Sequence, residues 1–275
     1  MISRELNEKF YKQYMTFFER AERTRRWNLF TEFDWEALKE GPVNEAMALC
    51  AETFCGVEMY LPDYIDGHLD MFRDNMARAW FAATWGYEES KHSLTLWQYL
   101  VKSGQRTDAQ MHEMSQRVLA KKWQVPFETG RQMTAYGALQ EMTTFVIYKK
   151  QQTLAEQRGH KVLADVYKII ARDEMAHAQY YEMILQHYLD DDREGTLKDF
   201  GHVFYNFTMP AHDLLPDYQS RIEVMRTAGI DRGVFLTEVC APLLKRLKLN
   251  RHDLPRQKRA LDGPRDVMAR WRMEV

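Results

Sequence analysis

Residues 160–190 read HKVLADVYKIIARDEMAHAQYYEMILQHYLD, a stretch that contains neither Gly nor Pro. Apolar residues recur in it every three or four positions, which is the period of an amphipathic α-helix. A helix of this length extends for about 45 Å, at ~1.5 Å per residue. Its middle, Glu174-Met-Ala-His177, places two polar side chains on one face, because positions three apart on a helix are neighbours.

Three further long stretches have the same period, at 44–74, 76–102 and 129–158. Shorter helical stretches are predicted at 108–123, 197–205, 218–228 and 233–249. The chain has 13 Gly and 8 Pro in 275 residues, well below the roughly 12% of average usage, so turns are few. No stretch alternates like a β-strand. The sequence therefore predicts an all-α fold in which four long helices form a bundle, with a crossover between 76–102 and 129–158.

The Glu-x-x-His pattern occurs a second time, as Glu89-Ser-Lys-His92. The helix before each pair carries one isolated Glu among apolar residues: Glu58, 31 positions before Glu89, and Glu141, 33 positions before Glu174. An antiparallel hairpin of such helices brings these positions to one height. Two sets of Glu plus Glu-x-x-His facing a bundle axis are the ligand set of di-iron or di-manganese carboxylate bundles. The fold class is thus a ferritin-like four-helix bundle with additional flanking helices, and residues 1–275 form one di-metal domain.

The charge of this set supports a metal centre. Four buried carboxylates without compensation are very costly, or they take up protons. Two divalent cations bring four positive charges, and a mixture of carboxylate and imidazole ligands suits iron or manganese. The alternative is a group of hydrogen-bonded polar residues in the core.

Pro62 follows Glu58 by four positions. Because Pro has no N–H to donate to the carbonyl of residue 58, we expect a kink there, with Glu58 at a helix irregularity. The alternative is an incidental proline near a bend.

The formal net charge is −2, so the chain as a whole has no nucleic-acid footprint. Residues 245–275 form a basic C-terminal tail with ten Lys/Arg and four Asp/Glu. This tail is predicted either to attract an acidic partner or simply to be solvated.

No apolar stretch has the roughly 18 residues that a membrane span requires. The pair Arg25-Arg26 superficially resembles a twin-arginine export signal, but an acidic stretch follows it, so we reject export. Cys50, Cys55 and Cys240 lack metal-binding spacing and are predicted to be free buried thiols, which favours the reducing cytoplasm.

These motifs together resemble the soluble acyl-[acyl-carrier-protein] desaturases, over about residues 10–215. The resemblance is carried by Glu58 with Leu61-Pro62, Glu89-x-x-His92, Gln140-Glu141 followed by Thr143-Thr144-Phe145, Asp173-Glu174-x-x-His177, and Met209-Pro210-Ala211-His212. The last run lies outside the proposed ligands, and it separates this family from other di-iron bundles.

The resemblance implies six metal ligands: Glu58, Glu89, His92, Glu141, Glu174 and His177. It implies that Thr144 donates near the oxygen site, the alternative being a core Thr bonded to its own helix. It also implies that Trp27 and Asp173 form a hydrogen-bonded chain to His92, with plain packing as the alternative for Trp27.

The implied activity is the introduction of a cis double bond into a saturated fatty acyl chain. The implied cofactor is a pair of Fe ions, with Mn possible. Implied partners are an acyl carrier protein bearing the chain, a ferredoxin-like electron donor, dioxygen and a second subunit in a homodimer.

Two other classes stay open from the sequence. One is a ribonucleotide reductase radical subunit or an oxidase, which needs a Tyr beside the metal; Tyr136, Tyr148 and Tyr181 lie on the relevant helices. The other is a non-catalytic homologue that binds iron or an acyl carrier.

Overall fold

The computed structural model describes residues 2–124, 127–209, 220–221, 223 and 226–256, and this part of the chain contains helices and no β-strand. The helices are α1 (Arg4–Arg20), α2 (Glu45–Glu58), α3 (Leu61–Met71), α4 (Met76–Lys102), α5 (Asp108–Leu119), α6 (Gly130–Gln157), α7 (Lys161–Asp191) and α8 (Arg193–Asn206). A last helical stretch, here α9, consists of Arg232–Val234, a π-helical Phe235–Cys240 and Ala241–Arg246.

The sequence sets the ends of the long helices through caps and glycines. The side chains of Asn75 and Thr129 accept hydrogen bonds from backbone N–H groups in the first turns of α4 and α6, which satisfies donors that the helix itself cannot pair. Gly104 and Gly159 follow α4 and α6 with φ of 69° and 76°, a left-handed conformation that ends a helix at little cost for glycine alone.

The bundle consists of α2, α4, α6 and α7. Helices α2 and α4 are antiparallel, and so are α6 and α7, while α4 packs antiparallel against α7 through the stacked rings of Phe81 and Tyr180, 3.6 Å between centroids. Helices α4 and α6 are therefore parallel, and the connection between them, which contains α5, runs back along the side of the bundle from Asp108 beside Trp97 to Gly130 beside Arg78. The predicted ferritin-like bundle with a crossover is confirmed.

Helix α1 was not among the predicted helical stretches. It lies in the groove between α4 and α7, where Phe17 packs edge-on against Phe81 and Tyr180 with centroid distances of 5.0 and 5.5 Å. A π-helical turn, Ala21–Arg25, follows α1 and carries the side chain of Arg25 into the interior.

The prediction of one helix over 44–74 is wrong. The chain turns at Met59 and Tyr60, so that α2 ends at Glu58 and α3 begins at Leu61. Pro62 lies in the first turn of α3, where its missing N–H has no helical partner to lose. The helix irregularity predicted at Glu58 is confirmed, although it is a break rather than a kink.

The remaining predictions differ from the structure mainly at the ends of elements. Helix α5 stops at Leu119, short of residue 123, and the predicted stretch 218–228 lies partly outside the described residues. Residues 257–275, which include most of the basic tail, lie entirely outside the described residues. None of the helices in the described part of the chain combines the length and apolarity that a bilayer span needs.

Substitution of Gly137 by Ala tests how closely α6 and α7 approach each other. A Cβ at Gly137 would lie 2.7 Å from ring atoms of Tyr181, and that ring is buried and cannot move aside. We expect Gly137→Ala to lower the free energy of unfolding by about 2 kcal/mol, as overpacking does. Urea denaturation followed by circular dichroism measures the effect.

Gly86→Ala is the matched control, because both glycines lie inside long bundle helices. Its Cβ would lie 2.3 Å from Cδ1 and 2.8 Å from Cγ1 of Ile65, but this half-buried aliphatic side chain can change its rotamer, unlike a buried ring, while alanine raises helix propensity. Equal losses for the two variants would contradict a rigid contact between α6 and α7.

Candidate metal centre

The structure brings all six sequence-predicted ligands together in the interior of the bundle. They form two overlapping groups whose ligand atoms lie within 4.8 Å of one another: Glu58, Glu89, His92 and Glu174 in one, and Glu89, Glu141, Glu174 and His177 in the other. Glu89 and Glu174 belong to both groups, which is the arrangement expected of bridging carboxylates. Every member is buried.

Both histidines direct the same ring nitrogen at the carboxylates. His92 Nδ1 is 3.0 Å from Glu89 Oε2 and 3.4 Å from Glu174 Oε1. His177 Nδ1 is 2.9 Å from Glu89 Oε1 and 3.4 Å from Glu141 Oε2. The two Nε2 atoms point away from the cluster toward other carboxylates.

Four buried atoms at the centre of the cluster lack a hydrogen-bond partner: Glu89 Oε1, Glu141 Oε2, Glu174 Oε1 and His177 Nδ1. Some of them are close together, but none of these contacts has hydrogen-bond geometry. Buried polar atoms are rarely left unpaired, and such an exception calls for an explanation such as an ion. The donor set of carboxylate and imidazole fits divalent iron or manganese, so the cluster can hold a di-metal centre.

The side chains shift one another's pKa values in the metal-free protein. Burial raises the pKa of Glu58 and Glu141, and the neighbouring carboxylates raise it further. Burial opposes charge on Glu89 too, but His92 outweighs it and lowers the pKa to about 2. For His92 and His177 the surrounding carboxylates overcome burial and raise the pKa well above the ordinary value. In the metal-free protein, bound protons on these side chains therefore offset the negative charge of the carboxylates, as metal ions would do.

A metal ion must displace these protons to bind. Since the pKa values of His92, His177, Glu58 and Glu141 are all raised, protons compete with the metal up to a higher pH than they would at exposed ligands. If the cluster binds metal, we therefore expect its metal affinity to increase as the pH rises.

Each histidine hydrogen-bonds a carboxylate on the opposite helix. His92 of α4 faces Asp173 of α7, with Nε2 3.5 Å from Oδ2, and His177 of α7 faces Glu88 of α4, with Nε2 2.6 Å from Oε2. Such outer carboxylates fix the tautomer and the orientation of a ligand histidine. The crossing also ties α4 to α7 at the height of the cluster.

Arg25 joins the two outer carboxylates. It donates to both oxygens of Glu88 and to Asp173 Oδ1, each at 2.9 Å, and is itself only 6% exposed. Arg26 also donates to Glu88. The arginine pair that superficially resembles an export signal thus neutralises buried carboxylates.

Glu88 and Arg25 were not predicted from the sequence. A signal for Glu88 was present, because an acidic residue precedes Glu in both motifs: Glu88-Glu89-x-x-His92 and Asp173-Glu174-x-x-His177. Arg25 has no comparable signal, since it lies 63 and 148 positions from its two partners.

Trp27 and Asp173 form the hydrogen bond that the resemblance implies. Trp27 Nε1 donates to Asp173 Oδ2 at 2.7 Å, so a chain of polar contacts runs from Trp27 through Asp173 to His92. Lys91 donates to the backbone carbonyl of Trp27, and its ammonium lies 3.9 Å from the centroid of the indole ring. The contact with Asp173 shows that Trp27 does more than fill space.

The hydroxyl of Thr144 is within hydrogen-bond distance both of the cluster and of backbone carbonyls of its own helix. Its hydroxyl lies 2.7 Å from Glu174 Oε2, 2.9 Å from the carbonyl of Glu141 and 3.2 Å from that of Gln140. A hydroxyl has one proton to donate, so these acceptors compete for it. The geometry is therefore compatible both with a Thr144 that donates at the cluster and with one that bonds its own helix. The residue is partly exposed, although the carboxylate that it reaches is buried.

Of the three tyrosines considered from the sequence, one contacts the cluster. Tyr148 donates to Glu58 Oε1 at 3.0 Å, whereas the hydroxyl of Tyr136 lies 3.3 Å from the carbonyl of Thr208 and that of Tyr181 lies 3.3 Å from His68 Nε2. Trp85, which was not predicted, donates to Glu141 Oε1 at 3.2 Å.

A basic groove of about 520 Å³ opens beside the cluster, between the end of α1 and the helices α6 and α7. Its lining includes the cations Arg20, Arg25, Lys149, Lys168 and Arg172. No carboxylate is among the described residues that line it, while Phe145, Met175 and Ala176, neighbours in sequence of Thr144, Glu174 and His177, also line it. The run at 209–212 cannot be related to this groove, because Pro210, Ala211 and His212 lie outside the described residues.

The family model described as "Fatty acid desaturase" matches residues 47–260. The chain therefore belongs to the fatty acid desaturase family. One relative is stearoyl-[acyl-carrier-protein] 9-desaturase 5 of Arabidopsis thaliana, 27% identical over 221 residues, which is 76% of this chain and 55% of that protein. Another is palmitoyl-[acyl-carrier-protein] 4-desaturase of Coriandrum sativum, 32% identical over 49% of this chain and 35% of that protein. The chain spans about half the length of the curated relatives it matches.

Two solved structures share the fold. One is described as acyl-ACP desaturase DesA2 from Mycobacterium tuberculosis, with a TM-score of 0.64 at 16% identity, covering 89% of this chain and 95% of that one. The other is an R2-like ligand-binding oxidase with a Mn/Fe cofactor, with a TM-score of 0.53 at 17% identity, covering 88% and 93%. At these identities the two structures support the fold alone.

Replacement of Glu141 and of Glu89 by Gln separates the role of charge from that of ligation. Burial raises the pKa of Glu141 and thus favours the protonated form, which Gln imitates, so we expect Glu141→Gln to change the stability of the metal-free protein little. Glu89 is ionised beside both histidines, and Glu89→Gln should cost about 3 kcal/mol. Urea denaturation in the presence of a chelator measures both effects.

The same variants are then titrated with Mn(II). At about a hundredfold excess over Kd, a metal stabilises the native state by roughly 2.7 kcal/mol, which raises the Tm of the wild type by roughly 5 °C. Glu141→Gln should lose much of this rise despite its unchanged metal-free stability. A full rise in Glu141→Gln would exclude Glu141 as a ligand.

Proposed function

We propose that this protein is an acyl-[acyl-carrier-protein] desaturase that introduces a cis double bond into a saturated fatty acyl chain. The observation that carries the proposal is the pair of overlapping Glu and His groups, with unpaired donor atoms directed at one another, in a chain of the fatty acid desaturase family. The names of the relatives, which act on stearoyl and palmitoyl carrier proteins, support this substrate class.

The proposed ligands are Glu58, Glu89 and His92 for one ion, and Glu141, Glu174 and His177 for the other, with Glu89 and Glu174 shared. The proposed cofactor is a pair of iron ions, with manganese as the alternative. When bound, the metal pair supplies the activation of dioxygen that removal of two hydrogens from an unactivated chain requires.

The chain's own residues prepare this site. The outer carboxylates Asp173 and Glu88 hold the histidine rings with Nδ1 directed inward, and Arg25 balances the charge of both carboxylates. Burial of all six ligands excludes water from the site. Thr144 presents a hydroxyl to Glu174 from a partly exposed position, so we propose that it donates a hydrogen bond at the oxygen site.

Partners follow from the same proposal. Two electrons come from a ferredoxin-like donor, dioxygen is the oxidant, and an acyl carrier protein presents the chain to a homodimer. We propose a cytoplasmic setting, which agrees with three cysteines that are all free and buried. The basic tail at 245–275 remains a proposed contact for the acidic carrier protein.

Turnover of an acyl-ACP series tests the activity. The protein is loaded with iron under anaerobic conditions, then given oxygen, reduced ferredoxin and acyl-ACP substrates of graded chain length. We expect a product lighter by two hydrogens for at least one chain length, detected by mass spectrometry. Glu174→Ala is the inactive control, because it removes a carboxylate shared by both groups.

Failure of every chain length in protein with two irons per chain would overturn the proposal. One observation keeps an oxidase or radical subunit as a second candidate: Tyr148 donates to Glu58. Oxygen addition without product but with a tyrosyl radical signal that disappears in Tyr148→Phe would support that candidate. Tight acyl-ACP binding without turnover or a radical would support the non-catalytic class.

We further propose that the electron donor docks at the basic groove. Arg172 forms part of its wall and precedes Asp173, and Asp173 contacts both Trp27 and His92. A donor at this groove is thus close to a chain of polar contacts that leads to the cluster. An acidic protein complements the exposed cations there, and such attraction mainly accelerates association.

Charge reversal of the groove distinguishes the donor from the carrier protein. In Lys149→Glu/Lys168→Glu we expect the KM for ferredoxin to rise about tenfold at low salt, with the KM for acyl-ACP unchanged. Lys102→Glu/Lys121→Glu is the control, because it reverses the charge of two exposed lysines outside the groove. A rise in the KM for acyl-ACP alone would assign the groove to the carrier protein.

A further inference from the structure

The phenol ring of Tyr181 lies one helical turn from two of the proposed metal ligands. On α7 it follows His177 by four positions, which is about 6 Å at ~1.5 Å per residue. On the facing helix α6 its ring lies against Gly137, which precedes Glu141 by four positions. Tyrosine is one of the few side chains that can give up a single electron. This tyrosine is therefore close enough to the cluster for direct electron transfer.

The hydroxyl of Tyr181 faces a histidine that has no part in the cluster. His68 of α3 has Nε2 3.3 Å from the hydroxyl oxygen of Tyr181, and Nδ1 2.7 Å from the backbone carbonyl of Tyr64. A carbonyl only accepts hydrogen bonds, so Nδ1 carries the proton of the neutral ring and Nε2 keeps its lone pair. Tyr181 is therefore the donor, and its proton points at an imidazole base.

The surroundings keep both partners neutral and dry. Burial lowers the pKa of His68 to about 4 and raises the pKa of Tyr181 well above the ordinary value. Each residue is only 3% exposed. The ring of His68 lies 5.1 Å from that of Trp85 and 5.7 Å from that of Phe72, while Phe81 lies 5.2 Å from Tyr181, all between centroids. His68 is therefore the proton acceptor that Tyr181 reaches, rather than bulk water.

We propose that Tyr181 and His68 form a redox-active pair that gives one electron to the metal pair when no acyl chain is bound. This inference rests on the proposed function, because it needs a metal pair that reacts with dioxygen. The O–H bond of Tyr181 breaks and an N–H bond forms at His68 Nε2, while the electron reduces the dioxygen-oxidised metal pair by one unit. The products are a neutral tyrosyl radical and an imidazolium. One electron from the external donor restores the phenol, as the proton moves back from Nε2.

The contacts of other buried tyrosines do not allow this step. A phenol that loses an electron becomes a strong acid, so its oxidation requires a base within hydrogen-bond distance. Tyr64 and Tyr136 donate to backbone carbonyls, which do not take up a proton. The hydroxyls of Tyr167 and Tyr180 lack a hydrogen-bond partner in the described part of the chain.

Tyr148 also lies beside the cluster, but its proton acceptor is different. Its hydroxyl donates to Glu58 Oε1, and Glu58 is a proposed metal ligand. A bound cation is the largest local charge at such a site and makes the carboxylate a weaker base. The acceptor of Tyr181, by contrast, is not a ligand and keeps its lone pair whether or not metal is bound.

Electron paramagnetic resonance tests the electron transfer. Full-length, iron-loaded and reduced protein is mixed with oxygen in the absence of acyl-ACP and frozen rapidly. We expect a tyrosyl signal that narrows when the protein contains ring-deuterated tyrosine and that is lost in Tyr181→Phe. Tyr148→Phe is the matched control, because it also removes a hydroxyl beside the cluster, and it should keep the signal.

His68→Gln tests the role of the base. Glutamine can still accept a hydrogen bond from Tyr181 but does not take up its proton, so we expect loss of the tyrosyl signal with unchanged far-UV circular dichroism. Nitrogen NMR of metal-free protein with isotope-labelled histidine tests the contact without any metal. We expect a protonated Nδ1 and an unprotonated Nε2 for His68, with a shift of the Nε2 resonance in Tyr181→Phe.

The outcomes separate this pair from the proposed function. A desaturated product with acyl-ACP, but no tyrosyl radical in its absence, would overturn the pair and leave the proposed function in place. A radical that survives Tyr181→Phe or His68→Gln, or a protonated His68 Nε2, would also overturn the pair. Iron-loaded protein that consumes no oxygen would overturn the proposed function and the electron transfer together.

Discussion

The structure depends on the burial of four carboxylates at one height inside a helical bundle. An ionised carboxylate transferred from water to a protein interior costs several kcal/mol unless positive charge accompanies it. Glu58, Glu89, Glu141 and Glu174 share the two histidines, and burial leaves Glu58 and Glu141 with raised pKa values. The fold tolerates this cost because cations or protons can enter. Because of the same cost, the cluster can hold divalent metal in place of the protons.

The environment of the cluster repeats this arrangement one layer further out. Glu88 and Asp173 are also buried carboxylates, but a permanent cation, Arg25, neutralises them, and it reaches the interior from the π-helical turn after α1. The inner layer therefore has exchangeable positive charge and the outer layer has fixed positive charge. This division keeps the histidines oriented whether or not a metal is present. It also gives α1 a role beyond covering the groove between α4 and α7.

The six inner residues could be predicted from the sequence because, in long regular helices, the spacing of residues along the chain determines their height along the bundle axis. Glu58 and Glu89, like Glu141 and Glu174, meet because each pair belongs to two adjacent antiparallel helices of regular geometry. Arg25 could not be predicted, since its position depends on how α1 packs against two helices far away in sequence. The break after Glu58 was predicted only as a kink, because Pro62 is compatible both with a bent helix and with the start of a new one. The exposure of Trp80 and Tyr87 on α4 could not be predicted, because an aromatic residue at helical spacing in a sequence indicates core packing.

Because of the break at Met59 and Tyr60, the two halves of the cluster differ in how the backbone holds their carboxylates. Glu141 lies in the middle of α6, where hydrogen bonds on both sides hold its backbone, whereas Glu58 is the last residue of α2 and Pro62 offers its carbonyl no helical N–H. The helical backbone therefore fixes Glu141 on both sides, whereas it supports Glu58 on the N-terminal side alone. The side chain of Glu58 is tied to the bundle through the hydrogen bond that it accepts from Tyr148 of α6. If metal ions occupy the cluster, the half that includes Glu58 would therefore rely on one side-chain hydrogen bond for support, and the other half on the continuous backbone of α6.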